Sequence, residues 1–321
     1  MEELRRELIA FAEDSGLSYT KIARAMGVGT STLSEFKNGT YKGDINEIGG
    51  KIRDFLRRHK KEMKRINFSA NTQVKQRIFY AIDIIKNYVA SNVREEVLES
   101  AKIAFIFGRA GIGKTHALQE YKKSYGGKCI FITAENNISD VAIIRRIARE
   151  LRIDHHGRME DLKENIKFAL KFTETILIID EGEHLKPKVI DIVRSIADQT
   201  GIGIVIAGTE KLKQQISGQR NEYEYLYSRA VVNMSLRDLN LEDVRNIVKK
   251  FLGADVDLYE EHELLRLIEF INNTVKGSAR QLANLLSLAS DIANKPENFA
   301  DSNGKITIDY IKAAVTMLAI A

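Results

Sequence analysis

Residues 108–115 read Gly108-Arg109-Ala110-Gly111-Ile112-Gly113-Lys114-Thr115, the G-x-x-x-x-G-K-[ST] spacing of a loop that cradles phosphates. Glycines let such a loop curl so that successive backbone N–H groups point at phosphate oxygens. A helix opening near Lys114 adds the positive end of its dipole. In this pattern Lys114 reaches the β- and γ-phosphates, Thr115 offers its hydroxyl to Mg²⁺, and His116 follows in the first helical turn. About sixty residues on, an apolar run ends in two carboxylates, Ile176-Leu177-Ile178-Ile179-Asp180-Glu181. Asp180 is the expected Mg²⁺ partner, and Glu181 the expected general base that polarises a water. Together these residues predict binding and hydrolysis of ATP with Mg²⁺. Two carboxylates at a strand end also suit an N-cap pair on a following helix, and that bland alternative stands beside the catalytic one.

The elements that must carry these residues follow from the apolar pattern. Ile103–Phe107 runs straight into the glycine loop, and Cys129–Thr133, Ile176–Ile179, Ile202–Ala207 and Ala230–Met234 are further short runs rich in Ile and Val. Strands buried on both faces read this way, and helical spacing lies between them. The fold class is therefore α/β, a central parallel sheet flanked by helices over residues 73–236. Residues 237–321 return to helical spacing, as in Leu264–Ile271, Ala279–Ile292 and Ile308–Leu318, and predict a small helical C-terminal subdomain.

Residues 1–62 read as four short helices. Leu4, Leu8, Ile9 and Phe11 face inward on the first, and Tyr19–Met26 and Thr30–Lys37 form the second and third. The fourth runs from about Ile45 to His59, with Ile48, Ile52, Phe55 and Leu56 inward and Arg53, Arg57, Arg58, Lys60 and Lys61 outward. Residues 63–72 have weak periodicity and are expected as a linker. The string Thr20–Gly39 resembles a repressor-type helix-turn-helix, in which Ile22, Ala23, Val28, Leu33 and Phe36 pack the two helices. Thr30, Ser31, Thr32, Ser34 and Lys37 then lie on the recognition helix. Their short hydroxyls suit phosphate contacts better than bidentate base reading, so weak sequence preference on double-stranded DNA is expected. A helical interaction module without DNA contact is the alternative.

Charge supports an anionic partner at this end. The chain of 321 residues carries a net charge of +5, and residues 1–75 hold 15 Lys and Arg against 10 Asp and Glu, so the whole excess lies there. A second basic candidate is Arg145, Arg149 and Arg152 on one helix face, with Arg146 beside them, next to an apolar stripe of Val141, Ile144, Ala148 and Leu151. Such a cluster could track a phosphate backbone, or be a plain solvated face. The lone Cys129 reads as a small core residue and fits a reducing cytoplasm, and His155-His156 read as loop residues. Apolar runs are too short for a membrane helix.

Read together, the motifs resemble the AAA+ superfamily. Beyond Gly108–Thr115 and Asp180-Glu181 there are Thr209 after the run Ile202–Ala207, Ser228-Arg229 before Ala230–Met234, and Gly277-Ser278-Ala279-Arg280 opening a helix. The resemblance implies a sensor-1 role for Thr209, which orients water near the γ-phosphate, although many members keep Asn there. It implies that Arg229 is a finger reaching the neighbouring subunit's γ-phosphate, and that Arg280 is a sensor-2 residue on its own subunit's phosphates. Thr209 as a strand-end turn residue and Arg229 and Arg280 as ordinary surface arginines remain the alternatives.

The domain order narrows the match. A helix-turn-helix, a short linker and an AAA+ module with a helical end resemble the Mu B family of phage transposition proteins. Similar local strings are Thr72–Gln76, the Asp-Glu-x-x-His-Leu arrangement at Asp180–Leu185, and Leu226-Tyr227-Ser228-Arg229. This family implies an ATP-dependent, non-sequence-specific DNA-binding ATPase in the bacterial host cytoplasm. It assembles as a homo-oligomeric helical filament on DNA, presents target DNA to a DDE transposase, and leaves when the transposase triggers hydrolysis. Two other readings share the ATPase site: an AAA+ helicase loader or replication-initiation factor, and a transcription regulator gated by nucleotide.

Overall fold

Five runs of consecutive apolar residues become the five strands of one parallel sheet. They are β1 (Ile103–Phe107), β2 (Cys129–Thr133), β3 (Ile176–Asp180), β4 (Gly203–Gly208) and β5 (Ala230–Ser235). Every residue of β1, β3 and β4 is buried, because helices cover both faces. The computed structural model describes residues 1–15, 17–66, 70–125, 128–217, 229–295, 298 and 304–318, with the side chains of residues 14, 15 and 57–66 outside that description. Ser228, Leu226, Tyr227 and the basic side chains of Arg57, Arg58, Lys60 and Lys61 therefore lie outside it.

The strand order is β2-β3-β4-β1-β5, with every neighbouring pair parallel. Ile106 pairs with Ala207 and Phe107 with Gly208, while Ile179 pairs with Ile206. β4 thus separates β1 from β3, yet their carboxyl ends finish at the same edge of the sheet. Ligands of open α/β sheets gather at that edge. The strands differ slightly from the apolar runs: β3 extends to Asp180, β4 runs one residue later than Ile202–Ala207, and β5 extends to Ser235. Ladder partners rather than hydrophobicity set those ends.

Around the sheet lie α5 (Gln73–Glu95), α6 (Lys114–Tyr125), α7 (Asp140–Glu150), α8 (Met159–Leu170), α9 (Pro187–Thr200) and α10 (Glu210–Ser217). Their starts are written in the sequence. Thr72 caps α5 by accepting from the Lys75 N–H at 3.2 Å, Ser139 caps α7 by accepting from Ala142 at 3.2 Å, and Pro187 opens α9. Ile85 and Val89 of α5 press on β4 at Gly203, where a Cβ would lie 2.2 Å from Ile85 Cγ2. Four helices follow: α11 (Leu241–Leu252), α12 (Glu261–Val275), α13 (Ala279–Ala293) and α14 (Ile308–Met317). An Asn240–Asp243 capping box starts α11, and the Gln73 N–H donates to Asp243 at 2.7 Å, joining the first helix of the module to its helical end.

Chain contacts divide the protein into two compact units: Met1–Phe68 with Ser287–Ile306, and Ser69–Leu286 with Thr307–Ala321. The first contains α1 (Glu2–Ser15), α2 (Tyr19–Met26), α3 (Thr30–Asn38) and α4 (Ile45–Ile66). Its core joins Leu4, Leu8, Phe11, Ile22, Ala23, Leu33, Phe36, Ile48, Ile52, Phe55 and Leu56. Phe11 meets Phe55 edge-on at 5.5 Å, and Arg5 donates Nε to the Phe36 carbonyl at 2.9 Å. Gly27, at φ 66°, turns the chain between α2 and α3. α4 continues to Ile66, past the expected end at His59 and into the stretch expected as a linker. Lys60, Lys61, Glu62, Met63, Lys64 and Arg65 are all good helix formers, so the helix persists where apolar periodicity fades.

Candidate functional site

The glycine loop closes on itself at the end of β1. Gly111 and Gly113 adopt φ of 82° and 101°, values that favour glycine, and a Cβ on Gly108 would lie 2.6 Å from Ile112 Cδ1. Ile112 is buried and anchors the loop, while Arg109 and Ala110 are exposed. Lys114 opens α6 as a buried cation, donating Nζ to the carbonyls of Gly108 at 2.7 Å and Arg109 at 3.1 Å. Burial holds its pKa below the ordinary lysine value, against the opposing pull of Asp180, Glu183 and Glu181. Thr115 and His116 are exposed on the first turn.

From the neighbouring strand end, Asp180, only 1% exposed, accepts from the Thr115 hydroxyl at 2.6 Å. A threonine hydroxyl and a carboxylate are the hard oxygen donors that Mg²⁺ takes beside phosphate, and the residues present fit that ion. Glu181 follows at φ 57°, a left-handed conformation that a side chain raises in energy. Its side chain is 46% exposed, with His184 Nε2 at 4.0 Å from its carboxylate. Strain of this kind gathers at functional positions. Gly182 follows because a Cβ there would lie 2.4 Å from Ile206 Cγ2.

Thr209, at the end of β4, is turned toward Glu183, donating its hydroxyl at 2.7 Å and its N–H at 3.1 Å. Glu183 did not stand out in the sequence, although it lies three residues beyond Asp180. Arg280 begins α13 beside the glycine loop: its N–H donates to the Gly111 carbonyl at 2.9 Å, and its charge is felt at Lys114. Arg109 donates to Asp238 and to the Lys276 carbonyl, each at 3.2 Å. Loop and helical end are thus stitched at two points, with Asp238 and Lys276 partners that spacing alone did not reveal.

Arg229 stands apart from this cluster. It precedes β5, its carbonyl accepts from the Ile103 N–H at 3.2 Å, and its Nε lies 3.9 Å from Asp198. Ile103 is the first residue of β1, whereas the glycine loop follows the last. Arg229 therefore sits at the opposite end of the sheet from its own loop, about 17 Å away along a five-residue strand. Asp198 also accepts from the Ala101 N–H at 2.7 Å and from Arg194 at 2.7 Å.

The family model described as "AAA domain" matches residues 96–216, which contain the loop, Lys114, Asp180, Glu181 and Thr209. The chain as a whole is 28% identical over 272 residues to "Mu-like prophage FluMu DNA transposition protein B" of Haemophilus influenzae, covering 82% of this chain and 88% of that protein. It is 24% identical over 317 residues to "ATP-dependent target DNA activator B" of Escherichia phage Mu, covering 98% and 94%. Among solved structures it is similar to the Aeropyrum pernix ORC2 protein, with a TM-score of 0.54 at 16% identity, covering 74% of this chain and 66% of that one. It is also similar to a Thermotoga maritima RuvB mutant, with a TM-score of 0.51 at 14% identity, covering 79% and 75%. These two likenesses are of fold.

Outside the Lys114, Asp180 and Glu181 cluster, the basic candidates separate. On α7 the inward face is Ile143, Ile144, Ile147 and Ala148, and Val141 is exposed rather than part of the apolar stripe. Arg145, Arg149 and Arg152 are exposed. Arg146 is engaged, donating to the Thr133 carbonyl at 2.8 Å and pairing with Glu135, so it braces the loop after β2. On α3, Thr30, Ser31 and Ser34 are exposed, Thr32 and Lys37 are half-buried, and Lys37 Nζ lies 4.5 Å from the Tyr19 ring centroid. The His155 and His156 rings lie 4.3 Å apart, tilted by 36°, beside Asp154. No helix among the described residues is long and apolar enough to cross a membrane.

Proposed function

We propose that this chain is an ATP-hydrolysing, DNA-binding protein that assembles on duplex DNA and hands that DNA to a transposase. The observation that carries the ATPase reading is the meeting of Thr115 with Asp180, with Lys114 beside them. The names of the relatives, a transposition protein and an ATP-dependent target DNA activator, support the DNA-targeting reading over a helicase loader or a nucleotide-gated regulator.

In this reading the loop N–H groups and Lys114 bind the β- and γ-phosphates of ATP, and Thr115 and Asp180 hold Mg²⁺. The metal, when bound, neutralises charge between the phosphates. Glu181 accepts a proton from the water that attacks the γ-phosphate. Arg280 touches the phosphates of its own subunit and reports them to the helical end through the Gly111 and Arg109 contacts. Arg229 serves a neighbouring copy, so hydrolysis is tied to assembly. The recognition-helix residues Thr30, Ser31, Thr32, Ser34 and Lys37, and the stripe Arg145, Arg149 and Arg152, bind DNA through phosphates with little sequence preference. The chain acts in the bacterial cytoplasm, where its DNA and transposase lie.

Electron microscopy of the protein with duplex DNA of arbitrary sequence tests the assembly. Filaments that coat DNA with ATP and fall away with ADP are the expected result. ATP hydrolysis without any nucleotide-dependent DNA association removes the targeting role.

A further inference from the structure

Glu183 lies in the 3-10 turn Gly182–His184 with both carboxylate oxygens committed to one residue. Oε1 accepts from the Thr209 hydroxyl at 2.7 Å, and Oε2 from the Thr209 N–H at 3.1 Å. The approach is built into the backbone: Gly208 has no side chain where a Cβ would lie 2.5 Å from Glu183 Oε2. Gln215 fixes the turn from the other side, donating Nε2 to the Glu183 carbonyl at 3.2 Å. Partial burial pushes the Glu183 carboxyl up, but hydrogen bonds from Thr209 and nearby N–H groups outweigh it and leave it below the usual range. Its charge, like those of Asp180 and Glu181, opposes the effect of burial on Lys114, so it belongs to the same cluster.

An ionised carboxylate only accepts hydrogen bonds. Thr209 must therefore be the donor in the 2.7 Å contact, and its oxygen, which also accepts the Lys211 N–H at 3.4 Å, has one lone pair left for a third group. An asparagine in that place offers an N–H and a carbonyl together, whereas a threonine tied in this way offers an acceptor alone. We propose that Glu183 is a positioning residue that holds the Thr209 hydroxyl proton, so that Thr209 meets the hydrolytic water only as an acceptor. A water donating one O–H to Thr209 and the other to a carboxylate keeps its oxygen lone pairs for phosphorus. The inference rests on the ATPase reading above and adds to it the residue that sets the polarity of Thr209. In Glu183→Gln the amide can donate to Thr209, and the hydroxyl is free to reverse.

The test measures ATP affinity, kcat and thermal midpoint, with duplex DNA present, for the full chain and for Glu183→Gln, Thr209→Ser, Thr209→Val and the double variant Glu183→Gln/Thr209→Val. Glu183→Gln is expected to lower kcat by roughly 10–100-fold with ATP affinity within about threefold of the parent, the size of effect that a misplaced reacting group produces. Thr209→Ser keeps most of kcat, and the double variant is no slower than Thr209→Val alone. Parent-like kcat in Glu183→Gln, an additive loss in the double variant, or a joint loss of affinity and thermal midpoint each overturns the proposal while leaving the ATPase reading in place. A parent chain that binds ATP without turning it over overturns both.

Discussion

Thr115 Oγ1 lies 2.6 Å from Asp180 Oδ2, a contact between residues 65 positions apart that come from the helix after β1 and the end of β3. The strand order makes it possible, because β1 and β3 flank β4 and their carboxyl ends finish at the edge where open α/β sheets gather ligands. The glycine loop and the buried Asp180 carboxylate come together only through that topology.

Glu181 carries a conformational cost that its function would justify. At φ 57° a glycine is favoured over alanine by about 1 kcal/mol. Glu181→Gly should therefore be about 1 kcal/mol more stable than Glu181→Ala in urea denaturation, while both lose hydrolysis. Glu181→Gln should keep ATP binding and slow turnover by roughly 100-fold or more. Normal turnover in Glu181→Gln would remove it as the base.

Arg229 lies beside the first residue of β1, a strand length from its own glycine loop, so the finger role proposed for it would be exercised on another copy. Arg229→Ala should bind ATP normally and hydrolyse poorly even when assembled. Mixing it with Glu181→Gln should restore part of the activity, because the second variant supplies the arginine and the first supplies the carboxylate. A mixture no more active than its parts contradicts action between subunits.

Much of this was legible from residue order. β1 coincides with its run of Ile, Ala and Phe, and β3 departs from its run only by Asp180, because strands covered on both faces need no polar alternation. The glycine loop and the Asp180-Glu181 pair are local strings, so spacing identified them. Glu183 was missed because its meaning depends on Thr209, 26 residues away on another strand end. Asp198 was missed for the same reason: its pair with Arg194 is local to α9, but its contacts with Ala101 and Arg229 form only after α9 docks on the sheet. Of the expected α7 stripe only Val141 lies outside the core: Ile144 and Ala148 are buried and Leu151 packs against them, and Ile143 and Ile147 widen that face by one position.

Stability should respond sharply where α5 crosses β4. Gly203→Ala places a methyl 2.2 Å from Ile85 Cγ2 and 2.9 Å from Val89 Cγ2, and should cost about 1–3 kcal/mol. Gly50→Ala, with nothing within 4 Å and a position inside α4, should instead stabilise by up to about 1 kcal/mol. Urea midpoints at unchanged slope measure both.

Cys129 is buried on β2, and burial pushes its thiol up to about 12. At pH 8 only about one molecule in ten thousand would carry the thiolate that reacts. The native protein should therefore resist iodoacetamide at pH 8, and the thiol should become reactive on unfolding in urea. Rapid labelling without denaturant would contradict the burial of β2.

The measurement that bears most directly on the site is calorimetric titration of the full chain with ATP, with and without Mg²⁺, beside Lys114→Ala. The predicted result is saturable binding that tightens with Mg²⁺ in the parent and is lost in the variant. No association of the parent with Mg-ATP, even when duplex DNA is present, would contradict the assignment of the Lys114, Thr115 and Asp180 cluster as a nucleotide site.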